Sequence, residues 1–249
     1  MIIVVGLAFE ARIAAGPGIH VVCGGNGRNL TAMLTVAITE ARRLFGSCPG
    51  IISFGVAGGL APQLRPGHCV IGSAILSGSS QLPTNHAWSQ KLLRSIPDAA
   101  SGTILGVSAP VSDPRDKRAL HLDTGAVAVD MESHIVAAVG AAHGLPVAAI
   151  RVITDPAERA LPASAVAAMR PNGTTDFGAM ARAVLTRPRE IPALFQTAFD
   201  ALAARATLVR GRHLLAPVLL RVDAHDGERI TANEPYLKSA MQAATIEGI

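Results

Sequence analysis

Short apolar segments alternate with segments of helical periodicity along most of the chain, and this alternation most constrains the fold. Strands are predicted at residues 2–6, 20–23, 50–54, 69–75, 102–107 and 147–153, and helices at 29–45, 86–96 and 131–143. Such alternation is typical of an α/β fold, because each parallel strand needs a long crossover to reach the next. The sequence therefore predicts an α/β fold with a mostly parallel sheet.

The composition allows a large apolar core and argues against several classes of protein. Hydrophobic residues make up 49% of the 249 residues and charged residues 16%, which disfavours a disordered chain. The net charge of +4 is not concentrated in a Lys/Arg block, so nucleic-acid binding is not expected. No apolar run reaches ~18 residues and no basic segment precedes the first strand, so we expect neither a transmembrane helix nor a signal peptide.

Cysteine and histidine are scattered along the chain. The three cysteines include no CxxC pair, and the eight histidines include no HxxxH pair. This pattern predicts reduced thiols in the cytoplasm and no metal site. We expect one domain over residues 1–222 and a polar tail at 223–249, where clear periodicity is lost.

Glycine-rich segments follow the first three predicted strands, at the sheet edge where open α/β proteins bind ligands. Glu10 is either a general base for a water or ligand hydroxyl, or an acid that interacts with a helix dipole. Residues 24–28 form either a tight turn or an anion site, in which Gly27 and Arg28 would hold phosphate or shape the cavity around water. Residues 55–59 are predicted to be a third glycine turn.

Two carboxylates flank a methionine in the segment Asp130-Met131-Glu132. Alternate residues of an extended segment share a face, so both carboxylates can point into one pocket and accept the vicinal hydroxyls of a ribose. Met131 would offer an apolar surface to a sugar or base. The alternative is a helix N-cap acid with a first-turn partner, which needs no ligand.

Asp155 ends the predicted strand at 147–153 and precedes a proline. A carboxylic acid at this position can protonate a leaving group when burial favours its protonated form. The alternative is an Asx turn or cap before the proline.

Taken in order, these segments resemble the purine nucleoside phosphorylase and nucleosidase superfamily. The matching pieces are the strand-Gly-x-x-x-Glu start, Gly25-x-Gly27-Arg28-Asn29, residues 55–60, residues 129–133 and Arg151-x-x-x-Asp155. The branch containing methylthioadenosine/S-adenosylhomocysteine nucleosidase is the most similar. Within that branch, residues 5–12 resemble the hopanoid-associated phosphorylases, which remove adenine from adenosylhopane.

The resemblance implies a three-layer α/β/α sandwich with a mixed, mostly parallel sheet, and it implies roles for individual residues. Glu132 would hold the ribose hydroxyls with Met131 against the sugar, and Asp155 would protonate N7 of the purine. Glu10 would activate the attacking water, and Arg28 occupies a position often filled by lysine. Asp130 stands where the nucleosidases have glutamate, and the segment containing Ala57 and Gly58 would line the ribose. No metal or organic cofactor is implied, and relatives are usually dimers or larger homo-oligomers.

Three questions stay open on the sequence. Glu10 favours water as the acceptor because a carboxylate repels phosphate, whereas Arg28 and the glycines favour phosphate as a co-substrate. Residues 188–220 either form a helix packed on the sheet, or they contact a hopane skeleton or a membrane surface. We expect a cytoplasmic protein, and contact with a membrane would place it at the periphery of the inner membrane. The alternative functions are a methylthioadenosine or purine salvage enzyme and a non-catalytic nucleoside-binding protein.

Overall fold

A computed structural model describes residues 1–24, 27–168, 174 and 176–220, without the side chains of 177 and 214–220. The strands are β1 Ile2–Val5, β2 His20–Cys23, β3 Ile51–Gly59, β4 Cys69–Ser77, β5 Ser80–Pro83, β6 Ala100–Gly106, β7 Ala128–Asp130 and β8 Val147–Asp155. The helices are α1 Ala8–Ala14, α2 Gly27–Phe45, α3 His86–Ser95, α4 Pro114–Thr124, α5 Ser133–Ala142, α6 Ala163–Ala167, α7 Phe177–Thr186 and α8 Ile191–Leu220, with a 3₁₀ turn at Pro188–Glu190.

The described strands form one mixed sheet with the order β2-β1-β3-β7-β6-β4-β5. β8 pairs in parallel with β3 and antiparallel with β4, so the middle of the sheet closes on itself. The pairs β1–β2, β1–β3, β3–β8, β4–β6 and β6–β7 are parallel, and the others are antiparallel. Because β1, β3 and β8 run in the same direction, their carboxyl ends lie at one edge.

Helices cover both faces of the sheet, because side chains along each strand alternate between two apolar cores. In β1, Ile2 and Val4 pack in the core beneath α2 and α5, whereas Ile3 and Val5 pack in the core beneath α1, α3 and α8. The amphipathic helix α2 buries Leu30, Leu34 and Ile38 against the sheet. The expected α/β fold with helices on both sides of a mixed, mostly parallel sheet is confirmed.

The prediction of a glycine turn at residues 55–59 is wrong. These residues continue β3, which stays paired with β8 as far as Gly58, with a register shift after Ala57. Glycine is needed here for space, since a Cβ at Gly55 would lie 2.6 Å from a carboxylate oxygen of Glu10. The glycines therefore let acidic side chains approach the strand.

Other elements also differ from the prediction, among them the start of α5 and the whole of α4. The helix predicted at 131–143 begins only at Ser133, because Asp130 still belongs to β7. Sequence periodicity also missed α4, whose start is nevertheless encoded: Asp113 caps the backbone N–H of Arg115, and Pro114 occupies the first turn.

The long helix α8 occupies most of the segment predicted to be helical at 188–220, after the short 3₁₀ turn. Along the ranges that the structure describes, no helix combines the length and apolar character needed to span a bilayer. The predicted tail at 223–249 lies outside the described residues, as do Gly25 and Asn26 of the second glycine cluster.

Candidate active site

A fully buried arginine organises the charged centre of the protein. Arg151 of β8 lies with its Nε 2.5 Å from Oδ2 of Asp130 and its Nη2 2.6 Å from Oγ of Ser53. The Ser133 hydroxyl donates to the same Asp130 oxygen and accepts from Arg151. A buried guanidinium needs carboxylate partners and satisfied donors, and this cluster supplies both. The Asp130 carboxylate is therefore bound to the protein itself.

Glu132 follows β7 and points towards the end of β1. Its carboxylate lies 3.4 Å from Arg151, and a Cβ at Gly6 would approach its Oε1 to 2.6 Å. Burial raises the pKa of Glu132 to about 7, with Arg151 opposing the rise and the negative charges of Asp130 and Glu10 adding to it. With 18% of its side chain exposed against 1% for Asp130, Glu132 is the member of the pair that a ligand can reach.

Glu10 lies on α1 with its carboxylate turned inward. Its Oε2 accepts from the backbone N–H groups of Gly6 (2.9 Å) and Leu7 (2.8 Å), and its Oε1 accepts from that of Val56 (2.7 Å). Burial raises the pKa of Glu10, while the charge of Arg151 and these three donors oppose the rise. Glu10 therefore also stabilises the start of α1, because it accepts a hydrogen bond from the backbone N–H of Leu7, the residue that precedes the helix. Glu10 and Glu132 both lie close to Gly6, and Glu132 feels the negative charge of Glu10.

Asp155, the last residue of β8, stands apart from this pair. Its Oδ2 lies 3.1 Å from the Cβ position of Gly58, three residues beyond the Gly55 that faces Glu10. Three residues of extended strand span about 10 Å. Lys117 donates to Asp155 Oδ2 at 2.7 Å, and Thr154 donates to Oδ1 at 2.9 Å. The structure therefore brings Glu10 and Glu132 together and places Asp155 at a distance, with 16% of its side chain exposed.

The remaining predicted site residues surround these acids to different degrees. Met131 is 38% exposed beside Glu132, and Ala57 is buried within β3. Gly27 and Arg28 form the exposed first turn of α2, which follows β2 at the same sheet edge as Gly6. Among the described residues, no cluster of three His, Cys, Asp or Glu side chains could hold a metal ion.

The sequence interpretation missed several residues of the site. Ser53 of β3 and Ser133 of α5 bind Arg151, and Lys117 reaches Asp155 from α4. Cys23 ends β2, where burial and the nearby charges of Glu10 and Glu132 raise the pKa of its thiol. Only Ser133 had a sequence signal, its position next to the Asp-Met-Glu segment; the other contacts depend on tertiary packing.

The sequence family called the phosphorylase superfamily matches residues 5–187. The chain belongs to this superfamily. The matched range contains all three acids and ends before α8, and it confirms the expectation of an enzyme of the nucleosidase or nucleoside phosphorylase class. A search of curated proteins found no match.

Solved structures with the same fold cover nearly the whole chain. Methylthioadenosine/S-adenosylhomocysteine nucleosidase from S. pneumoniae, solved with a transition-state inhibitor, aligns with a TM-score of 0.58 and 16% identity over 87% of this chain and 98% of that one. The Helicobacter pylori nucleosidase of the same name aligns with a TM-score of 0.56 and 15% identity over 89% and 96%. Futalosine hydrolase of Helicobacter pylori aligns with a TM-score of 0.56 and 16% identity over 89% and 95%. At 15–16% identity, these alignments show that the proteins share a fold.

Proposed function

We propose that this protein cleaves the N-glycosidic bond of an adenine nucleoside. The observation that carries the proposal is that the Glu10 and Glu132 carboxylates both lie close to Gly6, while Asp155 at the end of β8 lies beside Gly58 of β3. Carboxylates at one end of the candidate site would stabilise a positively charged ribosyl ring, while an acid at the other end of the site would protonate the base. The nucleosidases that share this fold, named for methylthioadenosine and S-adenosylhomocysteine, support the substrate class.

In the proposed reaction, Asp155 transfers its proton to N7 of adenine, and the C1′–N9 bond breaks with its electron pair moving to the base. Glu132 accepts hydrogen bonds from the ribose hydroxyls, and the exposed Met131 packs against the sugar. Water adds to C1′ and gives its proton to Glu10. Asp130 acts through Arg151, whose position it fixes. No metal or organic cofactor takes part.

Water is the proposed acceptor, because two neighbouring carboxylates disfavour a phosphate dianion between them. Gly27 and Arg28, on the exposed start of α2, would shape the cavity on the nucleophile side, as Ala57 and Gly58 would on the ribose side. The physiological nucleoside we propose is adenosylhopane, which would give adenine and ribosylhopane. A methylthioadenosine or purine salvage role is the alternative, and the nucleosidases of the same fold favour it. As the resemblance to the superfamily implies, we propose a homodimer or larger assembly.

A substrate panel tests this proposal. Adenine release from methylthioadenosine, adenosine and adenosylhopane is measured in phosphate-free buffer at pH values on both sides of the pKa of about 7 of Glu132, because the proposed reaction needs an ionised Glu132 and a protonated Asp155. We expect release from adenosylhopane at the highest kcat/KM and no gain on adding phosphate. Turnover that begins only when phosphate is added would refute hydrolysis. Faster turnover of methylthioadenosine would refute the hopanoid assignment, and an inactive panel would refute the enzyme activity proposed here.

A lipid substrate calls for contact with a membrane, and α8 offers a surface that fits one. Phe195, Phe199 and Leu202 are 64%, 69% and 57% exposed and follow one another at helical spacing. Ala204 and Leu208, on the opposite face of the helix, are buried against the sheet. The helix thus packs on the core with one side and presents an apolar stripe on the other.

The charges around this stripe are basic, which supports an anionic lipid surface as its partner. With about 3.6 residues per turn, Arg205 and Arg210 fall on the two flanks of the stripe, and both are exposed. The acids of this region are engaged internally: Asp200 pairs with Arg159, and Glu190 accepts from Ser164. We propose that α8 lies on the membrane surface and holds this protein, itself cytoplasmic, at the inner membrane.

Vesicle sedimentation tests the α8 surface on the full chain. Phosphatidylcholine vesicles with and without an equal part of phosphatidylglycerol are mixed with the wild type and with the triple variant Phe195→Ser/Phe199→Ser/Leu202→Ser. We expect the triple change to abolish pelleting with anionic vesicles, whereas the control Phe45→Ser, at a residue 78% exposed at the end of α2, keeps it. Equal pelleting of wild type and triple variant would refute the proposal. So would loss of a dimer in the triple variant by size-exclusion chromatography, which would assign the stripe to a second copy.

A further inference from the structure

A buried lysine that the proposed reaction does not use contacts Asp155. Lys117 of α4 is completely buried, which is rare for a lysine without a charged partner. Its ammonium group has three N–H donors, and the structure gives it three acceptors: Asp155 Oδ2 at 2.7 Å and the backbone carbonyls of Pro156 and Arg159, each at 3.1 Å. The lysine is therefore charged and fully bonded beside Asp155.

The surrounding structure fixes Lys117 in this place. The capped first turn of α4 begins just before it, and the backbone N–H of Leu161 bonds the carbonyl of Ser112, which holds the segment after β8 against the start of α4. The carbonyls of that segment point back to the lysine. Moving the ammonium away from Asp155 would break its three hydrogen bonds and leave a buried cation without acceptors.

Each oxygen of Asp155 has its own donor. Lys117 bonds Oδ2 and Thr154 bonds Oδ1, so the plane of the carboxyl group is set from two sides. Among the residues that the structure describes, Asp200 also feels the negative charge of Asp155 and is paired with Arg159. Burial raises the pKa of Asp200, with the charge of Arg159 opposing the rise and that of Asp155 adding to it. Lys117 is thus the cation that bonds Asp155 directly.

We propose that Lys117 is a positioning residue that holds Asp155 for proton transfer and stabilises the carboxylate formed by it. This inference rests on the proposed function. When the O–H bond of Asp155 breaks and the N7–H bond of adenine forms, the aspartate becomes negative beside the ammonium of Lys117. Lys117 keeps all of its protons, and the next proton for Asp155 comes from solvent, to which its side chain is partly exposed.

Kinetics of Lys117 variants test this role. In Lys117→Met we expect kcat for adenine release to fall about 10–100-fold, with KM changed less than about threefold, because orientation and charge at the acid are lost rather than substrate binding. We also expect the alkaline fall of kcat to move upward by about one pH unit, since a carboxyl group without a neighbouring cation holds its proton more firmly. Lys117→Arg keeps the charge and should keep the alkaline limb. The control Arg118→Met removes an exposed charge from the same helix and should match the wild type.

A pH profile of Lys117→Met that superimposes on the wild type would overturn the proposal. A second measurement does not depend on turnover. Lys91, Lys117 and Lys238 are the three lysines of the sequence, so ¹³Cε-lysine labelling gives a spectrum in which Lys117 can be assigned. We expect Asp155→Asn to lower the titration midpoint of Lys117 by about one pH unit or more, because a buried cation loses its counter-charge. An unchanged midpoint would overturn the proposal. A wild-type protein that is inactive on every nucleoside of the substrate panel would refute the proposed function, and the titration of Lys117 would still test its contact with Asp155.

Discussion

Replacing Asp155 by asparagine lowers kcat for adenine release by about 10² or more, because the amide keeps the size of the side chain and cannot donate an acidic proton. Binding of the nucleoside should survive, since Glu132 and Met131 hold the ribose in the proposed complex. The measurement combines adenine release with calorimetric titration of the least reactive nucleoside of the panel.

The matched control is Glu158→Gln, three residues further along the chain. Glu158 makes a surface ion pair with Arg65 at 3.4 Å, and both side chains are more than half exposed. The same loss of a carboxylate there should leave kcat within a factor of about two, because exposed pairs contribute little. If Asp155→Asn keeps more than a tenth of wild-type kcat, Asp155 is not the general acid. A wild type that binds nucleosides without turning them over would instead be a binding protein.

Replacing Arg151 by methionine is expected to give the largest loss of stability. Breaking a buried ion pair from one side costs about 3–5 kcal/mol, because the remaining carboxylate is left uncompensated. Here Asp130 would lose its main partner while 1% of its side chain is exposed, and the serine hydroxyls would lose a donor. The free energy of unfolding is measured by urea denaturation at neutral pH.

Two further variants separate this effect from a general effect of removing arginine. Arg65→Met removes an arginine from an exposed pair and should cost less than about 1 kcal/mol. Arg151→Met combined with Asp130→Asn should recover part of the loss, since the second change removes the stranded charge. A single Arg151→Met variant within about 1 kcal/mol of wild type would contradict the central role of this cluster.

The local pattern of the sequence predicted most helices and strands correctly because apolar periodicity reports burial directly. Ile2–Val5 is a continuous apolar segment buried on both faces, Val147–Ile153 is buried throughout and apolar apart from Arg151, and α2 has its apolar residues at helical spacing. The prediction failed at residues 55–59 because it relied on the preference of glycine for turns, which is a local property, whereas these residues belong to β3. Their use as strand residues depends on Glu10 and Asp155, which come from distant parts of the chain.

In the candidate site, too, some features could be predicted from the sequence and others depend on tertiary packing. The order of the motifs, through the resemblance to the superfamily, singled out Glu10, Glu132 and Asp155, whereas the local pattern left each of them a role without a ligand. Spacing alone left Asp130 and Glu132 equivalent. Packing separates them: Arg151 and Ser133 bind Asp130, while Glu132 turns towards Gly6.

By itself, the sequence determined the α/β class and the sheet edge at which the acids lie, because both follow from apolar periodicity and from the residues at the strand ends. Only the tertiary structure decided the partners of those acids. Lys117 lies 38 positions from Asp155, and Ser53 lies 98 from Arg151. No local rule links such residues, because their contact exists only once α4 and the paired strands have packed together.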